Sequence, residues 1–304
     1  MSLRRRPTVS SAEPRRAAVL GMPIAHSLSP VMHRAAYAAL GLDTWRYDAI
    51  EVDGARLPGL VRGSGPEWAG FSVTMPGKAA AAAVADARSD RVRQIGVANT
   101  LARTGDGWFA ENTDVDGVIG GLRGSGAEPR RVVLLGGGGT SLAVIVALAE
   151  MGAESVTVAG RWETSTAAAL ALADSVGLPA RHSSLDPELI AAAAAEADTV
   201  VSVLPAGTID HLAPVVADVP VLFDAIYHPW PSVLAAAGAP GRITVTGLDM
   251  LLHQAFRQVE LMTGRPAPRR EMRDARAGAV TGAPPLRLDC DGPLGAVAGA
   301  SGGS

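Results

Sequence analysis

The sequence predicts an α/β protein built mainly on a parallel sheet with helices on both faces. From Arg16 onward, short apolar runs alternate with longer alanine-rich segments, and such alternation imposes parallel pairing through helical crossovers. The stretch RVVLLGGGGTSLAVIVALAEMGAESVTVAGR, residues 131–161, reads as strand, glycine turn, helix and strand. Hydrophobic residues make up 48% of the chain against 19% charged, and with aromatics at only 4% and alanine abundant the composition points to many helices packed closely through small side chains.

Taken in order, AAVLG (17–21) is a first strand. SPVMHRAAYAALG (29–41) is a helix that Pro30 opens and Gly41 closes. Thr44–Val52 alternates as a second strand, and WAGFSVTMP (68–76) is a third. KAAAAAVADA (78–87) is expected to be helical. VANTLART and GWFAENTD form a hairpin around the polar turn Thr104 to Gly107. After the glycine turn, RHSSL, a helix through Ala191–Ala195, DTVVSVLP, PVLFDAIY and ITVTG continue the alternation. Gly247 to Gly264 carries apolar residues at helical spacing and forms a long helix.

The halves differ in character. Residues 16–118 form one domain, which regains helices from 247–278, and 119–246 form a second. Residues 1–15 and 279–304 have no period and are expected to be disordered.

The totals exclude several functions. A formal net charge of −3 gives no global attraction for nucleic acid or an anionic membrane. AAVLGMPI is too short, and too broken by Gly21 and Pro23, for a secretory signal, and no run approaches a membrane span. Cys290 is the only cysteine, so neither an intramolecular disulfide nor a thiolate zinc cage can form. The six histidines show no metal-ligand spacing, so no metal is expected. A cytoplasmic protein acting on small molecules is expected, as monomer or homodimer.

The glycine turn follows a strand and opens a helix, the context a dinucleotide phosphate requires. Gly136 permits the tight turn, Gly138 and Gly139 allow close approach of a diphosphate, and Thr140 continues the helix start. A plain strand–turn–helix connection is the ordinary alternative, but four consecutive glycines are entropically costly. At the end of the next strand, Arg161 favours the phosphate of NADP, whereas Glu163 is the feature that would favour NAD.

Lys78 lies just past a strand in GFSVTMPGK, and Asp114 follows the hairpin in ENTDVDG. Singly, each has an ordinary reading as a solvated charge or a turn cap. Beside a dinucleotide turn they supply what carbonyl reduction needs: a proton donor for the developing alkoxide and a carboxylate to orient it.

Eight motifs in order, from GMPIAHSLSPVMH through GFSVTMPGK, GVANTL, ENTDVDG, LGGGGTSLA, VVSVLPAG and FDAIYHPWPSVL to GLDMLLHQA, make the chain resemble the shikimate dehydrogenase family over about Ala17 to Pro268. The resemblance implies an N-terminal α/β substrate domain, a Rossmann-type NADP-binding domain, and an active site in the cleft between them. It implies that Ser27 and Ser29 bind the substrate carboxylate, with Tyr227 as a third donor. Thr74, Asn99, Asp114 and Gln254 would partner the ring hydroxyls, Lys78 and Asp114 would provide acid–base catalysis, and backbone near Gly247 would meet the nicotinamide. Ser29 also sits where a helix N-cap would. The implied reaction is reversible NADPH-dependent reduction of 3-dehydroshikimate to shikimate, in aromatic amino acid biosynthesis. A quinate or aminoshikimate dehydrogenase and a non-catalytic dinucleotide-binding sensor are the alternatives.

The chain departs from the family pattern at several points. Ser72 stands where asparagine is usual, Gly77 where phenylalanine is frequent, and Val115-Asp116 separates Asp114 from its glycine. Gly160-Arg161-Trp162 replaces Asn-Arg-Thr, and Ser202-Val203-Leu204-Pro205 replaces Asn-Thr-Thr-Pro. Trp162 could lie against an adenine or cover the sheet edge. His26 is expected to be structural and His253 a packing residue.

Overall fold

Strand β1 (Arg16–Gly21) enters the interior at once, with every residue after Arg16 buried. The computed structural model describes residues 13–105, 107–279 and 288, so the expectation for 1–12 and most of that for 279–304 lie outside the described residues. Helix α1 (Ser29–Ala39) follows, then β2 (Arg46–Glu51), α2 (Leu57–Arg62), β3 (Trp68–Val73), α3 (Lys78–Val84), β4 (Ala87–Arg88), α4 (Asp90–Ile95), β5 (Thr100–Thr104) and β6 (Gly107–Glu111). These strands form a sheet in the order β2-β1-β3-β5-β6-β4. The β1, β2 and β3 pairings are parallel, and β5 and β6 are the expected antiparallel hairpin.

Helix α5 (Asp114–Gly124) runs without a break through residues 118 and 119 into the second sheet. There β7 (Arg131–Leu135), α6 (Gly139–Met151), β8 (Ser155–Ala159), α7 (Glu163–Ser175), β9 (Ala180–Ser183), α8 (Pro187–Glu196), β10 (Thr199–Ser202), β11 (Val221–Asp224), α9 (Val233–Ala236) and β12 (Ile243–Thr246) alternate. A 3-10 segment, Asp210–Val216, joins β10 to β11. The strand order is β12-β11-β10-β7-β8-β9, and every pairing is parallel. After β9 the chain crosses back to form β10 on the other side of β7, so the switch point lies between β7 and β10, which is where ligands bind in such sheets.

Helix α10 (Gly247–Thr263) leaves β12 and returns to the first sheet. Thr246 caps it, with its Oγ1 accepting from the Leu248 and Asp249 amides while Asp249 accepts from the Thr246 amide. Gly264, at φ 71°, ends it. Its inner face buries Leu248, Leu252, Phe256 and Val259 among residues of β1, β2 and α1, each worth roughly 1.5–3 kcal/mol relative to exposure. Two glycines of α5 set the approach of the helices: a Cβ on Gly117 would lie 2.6 Å from the Met250 carbonyl oxygen, and one on Gly120 would lie 2.2 Å from His253 Nδ1. His253 is fully buried there, edge-on to Phe256, as a packing residue. Helix α11 (Arg269–Ala279) then packs on α1 and α10.

Three local expectations change. KAAAAAVADA is helical only through Val84, and Ala87 pairs with Phe109 in β4. The six-residue helices α2 and α4 have no counterpart in the sequence reading. Ser29 is the first helical residue rather than the cap; Leu28 occupies the cap position, and Ser27 Oγ accepts from the Ser29 amide at 3.3 Å.

Candidate active site

The turns after β1 and β3, the start of α5 and one face of α10 enclose a cavity of about 250 Å³. Ser27, Ser29, Thr74, Lys78, Asp114, Tyr227 and Gln254 line it, seven residues the sequence singles out. Parallel pairing explains the convergence. β1 and β3 are neighbours with Leu20 opposite Val73, so the serine turn and the Thr74–Lys78 turn emerge side by side. The Met22 amide donates to the Met75 carbonyl at 3.1 Å and fixes one turn to the other.

Lys78 is the first residue of α3 and Asp114 the first of α5. Lys78 Nζ donates to Asp114 Oδ2 at 2.5 Å, with the lysine side chain 24% exposed and the carboxylate 6%, so the ammonium faces the cavity from a buried anchor. Asp114 Oδ1 accepts from Asn99 Nδ2 at 2.9 Å. Asn99 stands behind the cavity rather than in its wall: its Nδ2 also donates to Gln254 Oε1 at 2.8 Å, and its Oδ1 accepts from Thr100 Oγ1 and from the Thr113 amide and hydroxyl. Every polar position of this buried amide is thereby used within the protein.

The hydroxyls of Ser27 and Ser29 and the half-exposed Tyr227 present neutral donors to the same cavity. Tyr227 comes from the loop after β11, pinned where Ser232 Oγ donates to Asp224 Oδ2 at 2.6 Å and the Ile226 amide donates to Asp224 Oδ1 at 3.2 Å. Burial raises the Asp224 carboxyl above the usual range, against those hydrogen bonds. Gly247, the first residue of α10, is buried with its amide directed to the Ile226 carbonyl at 3.4 Å.

Ser72, Gln258 and His26 also line the cavity. His26 is exposed at its edge. Gln258 lies one turn beyond Gln254, a spacing that could have marked it as facing the same way.

The second candidate region lies at the end of β7. Gly136 has φ 120°, a conformation open to glycine, and begins the turn. A Cβ on Gly137 would sit 2.0 Å from the Ser165 carbonyl oxygen, so the turn rests against the first turn of α7. Gly138 and Gly139 have nothing within 4 Å of where a Cβ would stand, and Thr140 follows in the first turn of α6. These open amides at a helix start suit a diphosphate. Arg161 and Glu163 are both exposed beside the turn, Glu163 as the first residue of α7. Trp162 is 67% exposed and does not cover the sheet edge.

Two family models match the chain: the shikimate dehydrogenase substrate binding domain over residues 19–101 and the shikimate 5'-dehydrogenase C-terminal domain over residues 247–275. The chain is 39% identical over 280 residues to shikimate dehydrogenase (NADP(+)) of Methylobacterium radiotolerans, covering 88% of this chain and 97% of that protein. The crystal structure of Mycobacterium tuberculosis shikimate dehydrogenase superposes with a TM-score of 0.84 at 50% identity, over 87% of this chain and 100% of that one. That of the Thermus thermophilus enzyme in complex with NADP(H) and shikimate gives 0.77 at 33% identity, over 88% and 100%.

Proposed function

The chain belongs to the shikimate dehydrogenase family, and we propose from that premise how its own residues carry the reaction. It is an NADP-dependent oxidoreductase that interconverts shikimate and 3-dehydroshikimate. The observation that carries the residue assignment is the Lys78–Asp114 pair in the wall of a cavity that Ser27, Ser29 and Tyr227 also line. The bound cofactor supplies or accepts the hydride at the ring carbon.

The chain's residues do the rest. Lys78 Nζ gives a proton to the ketone oxygen in reduction and takes it from the hydroxyl in oxidation, held in place by Asp114 Oδ2. Ser27, Ser29 and Tyr227 hold the carboxylate as hydroxyl donors and so fix the ring's orientation. Thr74, Asp114 and Gln254 take ring hydroxyls, because a polyol is discriminated only where each hydroxyl has its own partner. Asn99 orients Asp114 and Gln254 from behind. Gly136, Gly138, Gly139 and Thr140 receive the diphosphate, Arg161 the adenosine phosphate, and backbone at Gly247 the nicotinamide. We take 16–118 with the returning helices as the substrate domain and 119–246 as the cofactor domain. Catalysis is cytoplasmic, by a monomer or homodimer.

Turnover of shikimate, quinate and an aminated shikimate, each with NADP and NAD and followed by nicotinamide absorbance, tests this reading. Rapid oxidation of shikimate with NADP, well above every other pair, is expected. A preference for quinate, the amine or NAD would contradict the substrate and cofactor assignment.

A further inference from the structure

Trp162 is 67% exposed, whereas Trp45, Trp68 and Trp108 are each under 10% exposed. A single exposed apolar side chain needs no explanation by itself; the position of this one gives it a use. Leu135 of β7 lies opposite Ala159 of β8, and the Gly136 amide donates to the Ala159 carbonyl at 2.8 Å. The glycine turn and Gly160-Arg161-Trp162 therefore leave the sheet next to each other.

They are also one packed unit. Gly137 abuts the Ser165 carbonyl, and Ser165 Oγ donates to the Trp162 carbonyl at 2.5 Å. Trp162 itself is extended, at φ −134° and ψ 147°. The indole is thus presented from a braced backbone beside the turn assigned to the diphosphate. Arg161 is exposed next to it and makes no ion pair among the described residues.

Strand order sets which end of the cofactor meets it. On the far side of β7 lie β10, β11 and β12, which lead to Gly247 and the cavity. A dinucleotide with its nicotinamide at the cavity and its diphosphate on the glycine turn places its adenosine over the end of β8. We propose that Trp162 is the stacking platform for the adenine ring, so that the chain holds the base by its π-face while Arg161 meets the phosphate. This inference rests on the proposed reading of the chain as an NADP-dependent dehydrogenase.

The test is calorimetric titration of the full chain with ADP and with 2′,5′-ADP, in wild type, Trp162→Ala and Trp162→Phe. The ring is common to both ligands, so Trp162→Ala should weaken both by a similar factor of about tenfold or more, the range of base–aromatic stacking. Trp162→Phe should recover most of that affinity, and Arg161→Ala should affect 2′,5′-ADP far more than ADP. Unchanged thermal unfolding of the variants checks that the exposed substitution leaves the fold intact. Wild-type affinity in Trp162→Ala, or equal losses in the Ala and Phe variants, overturns the stacking role. If wild type meanwhile oxidises shikimate with NADP, the proposed function stands regardless. A wild type that neither binds the nucleotides nor turns over would overturn both.

Discussion

Tyr47 and Gln258 are joined through the single hydroxyl of Ser72: the tyrosine OH donates to Ser72 Oγ at 2.7 Å, and Ser72 Oγ donates to Gln258 Oε1 at 2.8 Å. Gln258 Nε2 reaches Thr100 and Thr113, whose hydroxyls bond Asn99, which holds Asp114. Buried hydrogen bonds thus run from Tyr47 to the Lys78–Asp114 pair. The serine found where the family usually has asparagine is the member that fits between the two longer side chains.

Ser72→Ala should therefore cost more than a surface serine substitution. It removes the hydroxyl that links Tyr47 to Gln258 in a buried site and leaves Ser29 as the remaining partner of the Tyr47 hydroxyl, a loss of about 0.5–1.5 kcal/mol. Urea denaturation should show a lower midpoint with an unchanged slope.

His33 makes stability sensitive to acid. It is fully buried, stacked on Tyr47 and donating from Nε2 to Gln258 Oε1, and burial lowers its pKa from 6.5 to about 4 despite that hydrogen bond. The unfolded chain takes up the proton below about pH 6.5 and the folded chain only near pH 4, so this contribution is lost as pH falls through that window. His33→Gln should be less stable than wild type at pH 7, with the gap narrowing by about 2 kcal/mol at pH 5. A constant gap across that range would contradict it.

Arg91 of α4 reaches Asp116 Oδ2 at 2.9 Å and Glu150 Oε2 at 2.6 Å, tying the first sheet's helix to α5 and α6. Burial raises the Asp116 carboxyl, and Arg91 opposes that rise. Arg91→Ala should leave the buried Asp116 carboxylate without its hydrogen-bonded partner and with only the charge of Arg257 acting on it, at a cost of about 3 kcal/mol at pH 7. Asp116 gains a proton more readily once the guanidinium is gone, so the deficit should shrink as pH falls to 5. Chemical denaturation at the two pH values reads it.

Gly137→Ala should damage cofactor binding. Its Cβ would meet the Ser165 carbonyl, a backbone atom that cannot rotate away, so the turn must shift. Cofactor affinity should fall about tenfold or more, while shikimate affinity measured by calorimetry stays within about twofold.

Local pattern was sufficient for the strands of the second sheet, the β5–β6 hairpin and α10, because each carries its own period and end signals in a few adjacent residues. Short α2 and α4 carry too few turns for a period to register. β4 was hidden because Ala87–Arg88 is held by pairing with Phe109 and Ala110, a partner outside its own segment. In the cavity, Ser27, Ser29, Thr74, Lys78, Asp114, Tyr227 and Gln254 were legible as a set only through the family resemblance, and each lines it. Gln258 and the relay through Ser72 depend on residues 186 positions apart, a relationship that only the folded chain creates. Asn99 differs for the same reason: its five hydrogen bonds within the protein are set by α5 and α10 converging on it.

The most direct test of the central claim is Lys78→Met, assayed for shikimate oxidation with NADP and, separately, for shikimate and NADP affinity by calorimetry. Loss of the proton acceptor should lower kcat by about 10²–10⁴-fold while both affinities stay within a few-fold of wild type. Turnover within about tenfold of wild type, at unchanged affinities, would show that Lys78 is not the group that moves the proton.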